Sequence, residues 1–487
     1  MTKPSSTPHR WAMASALSAL IGACAATPQA PATSTGAVPT PSPKPEQPAQ
    51  SPAPQPEPQA AQTADPQVQE TPTPAAGPVP GDPTGDPDAA ALSGPTGPFT
   101  PTRHTEMNQW REDFSARARV EGRNPAVVFA ILEGISPLPL YLSEDEDVAQ
   151  TGVEDQAEFA KAIWEYLRTA VTTARFETGQ TKLAELAPVF DRLEQAYGVD
   201  REVIAAIWAM ETNYGSYIGD YDAANTLSNM AVEGRRRSFA ESQLIALMKI
   251  VENGYATRAQ LGSGWAGAMG QTQFMPTTYL AYAQDYDGNG KADLWAYAPD
   301  ALASAANYLS QSGYSLDQPW GTEVLAPANF DWSYADGNDR RLSTWKALGL
   351  SPIRGGGFEP GDGAYAELWL PAGAQGPKYL LFKNFSVFKT YNRSNSYALA
   401  VGLLADGLRG EYGPVASWPT HVPRLTGSEV KTLQATLNQL GYDAGPVDGI
   451  VGSGTRGALQ EFQKANGMTA DGYVSKPALQ AVLNVAG

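Results

Sequence analysis

The chain runs to 487 residues, more than one ordinary hydrophobic core accommodates, and 42 % hydrophobic with 17 % charged residues suits globular domains joined by low-complexity filler. A formal net charge of −17 argues against nucleic acid as a partner, because that recognition needs a basic footprint. With only His9, His104 and His421 as histidines and Cys24 as the single cysteine, a His-based triad, a His-ligated zinc site and any disulfide are set aside, so the acid/base groups of an enzyme here should be carboxylates. The densest basic run, Arg235-Arg236-Arg237, reads as a solvated helix face or loop.

In chain order, residues 1–24 carry Lys3 and Arg10, an apolar stretch from Trp11 to Ala23, and then Cys24. That is a signal-peptide pattern, with an apolar segment too short to span a bilayer as a mature helix. Ile21-Gly22-Ala23-Cys24 resembles a bacterial lipobox, which implies that Cys24 is the lipidated first residue of a mature periplasmic protein. By the same resemblance, Ala25 in place of an Asp favours the outer membrane; ordinary cleavage near Ala23 or Ala26 is the alternative. Residues 25–101 are rich in Pro, Ala, Gln, Thr and Gly, too poor in apolar surface to offset chain entropy. They read as a disordered tether, extensible to on the order of 200 Å at ~3.1 Å per residue.

Apolar spacing near 3.6 then predicts helices over Asn108–Glu121, Asp155–Ala174, Lys182–Tyr197, Arg201–Asn213, Ser238–Glu252 and Pro299–Ser312. Strand character follows in Tyr365–Leu370 and Lys378–Phe382. This globular region, 105–410, is therefore mainly α with small β elements, an α+β arrangement. After a Pro-containing linker, residues 425–487 form a compact unit of three short amphipathic helices. Ser428 stands where an N-cap belongs and Gly441 where the first helix should end. One turn pattern occurs twice, around Asp448-Gly449 and Asp471-Gly472. The run GYDAGPVDGIVGSGTRGALQEFQKANGMTADG resembles the peptidoglycan-binding type 1 domain.

Three features of the central region bear on chemistry. Glu211 continues the stripe of Ile204, Ile207 and Trp208 one turn before Gly215, so it points where a leucine would be expected. Burial opposes the charged form of a carboxyl, as a general acid at neutral pH requires; a buried Glu satisfied by an Arg or backbone partner is the structural alternative. Second, the Gly- and Ala-rich run Gly262–Gln273 permits close backbone approach and leaves Gln271 and Gln273 to face a groove. Third, Asp285, Asp287, Asn289 and Asp293, with Gly290 at the turn and Lys291 following, have the spacing of a calcium loop. Ala296 stands where that loop has its bidentate Glu, and Asp300 is the carboxylate nearest to replace it; a metal-free Asx-rich turn is the alternative.

The strings AIWAMETNYG, TLSNMAVEGRRRSFAESQL, GWAGAMGQTQFMPTTYLAYAQDYDGNGKADLW, DALASAANYLSQSGY and FSVFKTYNRSNSYALAVGLLA resemble the membrane-bound lytic murein transglycosylase B family, across most of Arg201–Asp406. The resemblance implies a lysozyme-like fold that cleaves peptidoglycan glycan strands between MurNAc and GlcNAc, leaves 1,6-anhydro-MurNAc ends and needs no cofactor for its chemistry. It also implies that Glu211 is the single catalytic acid/base, that Gln273 lines the saccharide groove, and that Tyr391 and Asn392 approach the scissile bond. Tyr214 and Ser263 are further candidate contacts, although the family has Ser at the position of Gly264. Two other readings stay open: a muramidase using water and a second carboxylate, Asp220 or Asp222, and a non-catalytic wall-binding lipoprotein.

Overall fold

The computed structural model describes residues 97–142, 161–316 and 318–487. Cys24, the expected signal segment, nearly all of the tether and the start of the expected helix at Asp155 lie outside these residues.

The central region opens with α1 (Thr105–Val120), α2 (Pro125–Leu132), α3 (Ile163–Ala170), α4 (Thr173–Glu185), α5 (Ala187–Tyr197) and α6 (Arg201–Thr212). Two expected helices are each divided, for local reasons. The Thr172 hydroxyl accepts the Arg175 N–H at 3.3 Å and starts α4, ending α3 at Ala170. Pro188 sits in the first turn of α5, where its missing N–H costs nothing, so the chain restarts after Leu186 instead of running on from Lys182. A short pair, β1 (Tyr221–Asp222) and β2 (Gly262–Ser263), brackets α7 (Ala223–Glu233) and α8 (Arg237–Glu252). Then come α9 (Pro276–Tyr282) and α10 (Ala298–Gln311).

A small sheet region is inserted next. Strands β3 (Gly321–Leu325), β4 (Arg340–Arg341), β5 (Ser351–Pro352), β6 (Tyr365–Trp369) and β7 (Tyr379–Leu381) pair antiparallel in the order β4-β6-β7-β3-β5, with α11 (Leu342–Ala347) between β4 and β5. The two strands expected from sequence are neighbours, with Leu368 opposite Leu380. Alternation along β6 sends Ala366 and Leu368 into a core with Leu342, Trp345 and Leu380, and leaves Tyr365, Glu367 and Trp369 on the other face. The chain returns to the helical body through α12 (Lys383–Tyr391) and α13 (Asn395–Leu408), and α13 packs along α6.

The last unit is α14 (Gly427–Gln439), α15 (Ser453–Ala465) and α16 (Lys476–Ala486) around Leu433, Leu437, Leu459, Phe462 and Val482. Its N-cap is Thr426, not Ser428, because Thr426 forms a capping box with Glu429. The repeated turns share one device. Buried Gln434 donates to Asp448 Oδ1 at 2.9 Å and accepts the Gly449 N–H at 2.9 Å; buried Gln463 does the same for Asp471 at 3.0 Å and Gly472 at 2.8 Å. Asp471 Oδ2 also accepts the Ala374 N–H at 3.0 Å, tying the unit to the loop between β6 and β7. Gly373 is required there: its φ is +71°, and a Cβ would stand 2.7 Å from Asp471 Oδ2. No helix among the described residues is long and apolar enough to cross a membrane.

Candidate active site

Every side chain of α6 from Val203 to Thr212 is buried, and Glu211, in its last turn, is 3 % exposed. Asn213 and Tyr214 end the helix in the left-handed region, at φ 49° and 61°, and return their N–H groups to Ala209 and Trp208. Against this end lies the first turn of α13. The Ser394 hydroxyl caps it by accepting the N–H groups of Ser396 and Tyr397 at 3.2 and 3.4 Å, and Asn392 Oδ1 accepts the Ser394 N–H at 2.9 Å. That turn fixes Tyr397, fully buried, whose hydroxyl donates to Glu211 Oε1 at 2.5 Å. Tyr391, closing α12, is held between Phe274 and Tyr308 at ring-centroid distances of 6.1 and 5.1 Å, and the Tyr308 hydroxyl bonds the Thr390 carbonyl beside it.

Burial pushes both phenols, Tyr391 and Tyr397, well above their usual range, and the nearby Glu211 charge reinforces the effect. Both directions favour the protonated phenol, and Tyr397 uses its proton to donate to Glu211. The Tyr391 hydroxyl is buried with no hydrogen-bond partner among the described residues. A buried carboxyl held by one phenol and overlooked by a second, unspent phenol suits proton transfer to and from a substrate oxygen.

The other expected contacts are placed differently. The Tyr214 hydroxyl is spent on the Arg175 carbonyl at 2.8 Å, and its ring packs edge-on to Trp208, so it is a buried strut. Ser263 is fully buried in β2 and its hydroxyl donates to the Gly264 carbonyl at 3.0 Å, which leaves nothing to offer a sugar. Gln271, expected to face a groove, is an internal brace: it accepts from Trp208 Nε1 at 3.1 Å and donates to the Trp295 carbonyl at 3.2 Å. Gln273 lies at φ 49°, its amide protons given to the carbonyls of Gly270 (2.8 Å) and Ile218 (3.1 Å), so only its oxygen remains for a ligand. Beside it, Gly270 at φ 67° has the Leu294 carbonyl 2.6 Å from where a Cβ would be. Asn392 is 1 % exposed and serves the capping turn described above.

Of the carboxylates a hydrolase would need, Asp222 caps α7 through the Asn225 N–H (2.7 Å) and pairs with Arg258 (2.7 Å), while Asp220 is exposed and accepts from Tyr217 at 2.9 Å. The basic run is dispersed. Arg235 pairs with Glu233, Arg236 lies 4.3 Å over the Phe239 ring, and Arg237 donates to the Ala231 carbonyl.

In the acidic loop, carboxylate oxygens of Asp285, Asp287 and Asp300 lie within 4.8 Å of one another. Burial raises the Asp300 carboxyl above its usual range, and the charges of Asp285 and Asp287 add to this. Asp300 also accepts the N–H groups of Tyr286 (2.8 Å) and Asp293 (2.7 Å), drawing both ends of the loop together. Asn289 Oδ1 accepts from Lys291 and Asp293 Oδ1 from Trp295 and Ala296, so those two atoms are engaged in turns. Three converging carboxylates fit a hard divalent cation.

The sequence reading missed Tyr397. Its signal lies in NSYALAVGLLA: a hydroxyl on a helix otherwise made of Ala, Leu and Val needs a buried polar partner.

A buried, phenol-held glutamate in a helical body, followed by a separate three-helix unit, is the arrangement of a peptidoglycan lytic transglycosylase. Residues 106–406, more than half of the chain, match the transglycosylase SLT domain, and residues 426–482 match a peptidoglycan binding domain. The chain belongs to the transglycosylase SLT family. It is 27 % identical over 270 residues to membrane-bound lytic murein transglycosylase B of Escherichia coli (strain K12), covering 54 % of this chain and 72 % of that protein. The crystal structure of SltB3 from Pseudomonas aeruginosa, in complex with NAG-anhNAM-pentapeptide, is 40 % identical with a TM-score of 0.73, covering 78 % of this chain and 100 % of that one. SltB1 from the same organism is 26 % identical with a TM-score of 0.53, covering 62 % of this chain and 99 % of that one. The fold is accordingly that of lytic transglycosylases, mostly helical with small sheets. The chemistry of these enzymes needs no cofactor.

Proposed function

We propose that Glu211 alone carries both proton transfers in cleavage of the MurNAc–GlcNAc bond. The carboxyl donates its proton to the bridging oxygen, and the bond from that oxygen to MurNAc C1 breaks. The N-acetyl oxygen of MurNAc relieves the positive charge that develops at C1. The resulting carboxylate takes the proton of the MurNAc C6 hydroxyl, whose oxygen bonds to C1 and closes a 1,6-anhydro ring, so no water is consumed. Tyr397 orients the carboxyl and supports its charged state between the two transfers, since a hydrogen bond to a carboxylate favours that form. Tyr391 offers its unspent hydroxyl to the saccharide, with Gln273 Oε1 a further contact. The observation that carries this reading is the pairing of a 3 % exposed Glu211 with the Tyr397 hydroxyl at 2.5 Å.

Glu211→Gln tests it, because the substitution keeps size and hydrogen bonding but removes the titratable proton. Turnover of purified sacculi should fall by more than the roughly 10²–10⁴ typical of general acid–base help, since both half-steps fail. The variant should still bind sacculi through the C-terminal unit; full activity would reject Glu211.

The loop of Asp285, Asp287, Asn289, Lys291, Asp293 and Asp300 is proposed to hold a structural calcium ion, away from the chemistry, with Asp300 replacing the absent Glu. Lipidation at Cys24 is proposed to anchor the enzyme to the outer membrane in the periplasm, with the 25–101 segment as its reach to the wall.

A further inference from the structure

Three non-glycine residues among the described ones hold a positive φ: Asn213 at 49°, Tyr214 at 61° and Gln273 at 49°. For a bulky residue such as Tyr214 that conformation is strained, and it persists only where the surroundings over-determine it. The three lie at the two ends of one set of contacts, centred on Gln271. This side chain is 7 % exposed, and all four polar groups of the residue are engaged. Two reach α6: the side-chain oxygen accepts from Trp208 Nε1 at 3.1 Å, and the main-chain carbonyl accepts from the Thr212 hydroxyl at 2.6 Å. Two reach the segment after the acidic loop. The side-chain amide donates to the Trp295 carbonyl at 3.2 Å, and the main-chain N–H donates to the Leu294 carbonyl at 2.7 Å. Trp295 is itself fixed, its indole N–H on the Gly262 carbonyl and its main-chain N–H on Asp293 Oδ1, both at 2.9 Å.

The grip falls on the turn that bears Glu211. Trp208 and Glu211 are three residues apart, so their side chains are neighbours on one face of α6, and Thr212 follows Glu211 directly. The Thr212 hydroxyl also accepts the Gly215 N–H at 3.0 Å, which holds the left-handed exit of the helix. Gly215 makes room for the brace: its φ is +76°, and a Cβ there would collide with Gln271 Oε1. Backbone strain of this kind gathers where a fold aims a reacting side chain. We propose that Gln271 is a positioning residue for Glu211. It ties the last turn of α6 to the Gly-rich loop and to the segment after the acidic loop, and so fixes where the carboxyl stands relative to the bridging oxygen. The inference rests on the proposed function and adds the group that aims its acid.

Turnover of soluble glycan strands by wild type, Gln271→Met, Gln271→Glu, Trp208→Phe and the Gln271→Met/Trp208→Phe pair tests it. Met keeps the length of Gln and deletes both side-chain hydrogen bonds. A reacting group misplaced by about 1 Å loses up to about 10²-fold in rate, so kcat should fall about tenfold or more while KM stays within about twofold. Trp208→Phe deletes the same bond from the other side, and the pair should be no slower than the slower single variant. Gln271→Glu should recover most of kcat at acidic pH, since a buried neutral carboxyl offers the same acceptor and donor. A residue that serves stability alone would lower the melting temperature of Gln271→Met and leave the kcat of the folded enzyme unchanged. That result, losses that add in the pair, or a rise in KM in place of the fall in kcat would overturn the proposal. Should Gln271→Met fail to fold, Trp208→Phe and Gln271→Glu still decide it. Full activity in Glu211→Gln would reject the reading beneath this one. An inactive Glu211→Gln beside a Gln271→Met that turns over like wild type would reject the positioning role alone.

Discussion

Glu211 is buried as its spacing from Ile204, Ile207 and Trp208 predicts, but α6 is buried on every face from Val203 to Thr212, so burial by itself does not single the glutamate out. What spacing does not show is which polar atoms are already spent. Tyr214, Ser263 and Gln271 are the right residue types in the right motif, yet each is spent on a protein partner. Tyr397, overlooked in the sequence, provides the hydrogen bond that holds the carboxyl. Tyr397→Phe keeps the ring and deletes that bond. A hydrogen bond to a charged group contributes about 1.5–3 kcal/mol, so kcat should fall roughly ten- to hundredfold. KM should change little, because the phenol is buried behind the carboxyl. Unaltered kcat would remove Tyr397 from the machinery.

Among the elements, long periodic helices such as α6, α8 and α10 were readable to within a residue or two. Three of the five sheet strands were not, since β4 and β5 span two residues each and β3 has no clean alternation, so their pairing comes from tertiary context. The acidic loop was readable as a spacing of ligands, and the convergence of Asp300 on Asp285 and Asp287 gives that spacing a geometry. A ligand that binds only the folded state stabilises it by mass action, about 2.7 kcal/mol at a hundredfold excess over Kd. Adding calcium to the chelated protein should therefore raise its melting temperature, and Asp287→Ala or Asp300→Asn should erase most of that gain. Melting curves indifferent to calcium in the wild type would show that Asp300 and its turns hold the loop alone.

For the molecule as a whole, the proposal joins a wall-binding unit, a catalytic body and a long leader that ends in a lipid. Exchanging Cys24 for Ala should move the protein from the membrane fraction to the soluble one, and unchanged fractionation would reject the anchor while leaving the enzyme intact. The repeated Gln–Asp–Gly device explains why two similar turns could be seen in the sequence of the C-terminal unit. The use of Asp471 to grip Ala374 could not be seen, because it depends on a loop some hundred residues earlier. The central claim concerns the fate of the cleaved MurNAc. If one carboxyl makes and breaks the bonds with the C6 hydroxyl as nucleophile, the fragments released from sacculi by the wild-type enzyme should end in 1,6-anhydro-MurNAc. Mass spectrometry reads this directly, as ends one water lighter than hydrolysed ones. Reducing MurNAc ends would contradict the account and return the reaction to a water molecule and a second carboxylate.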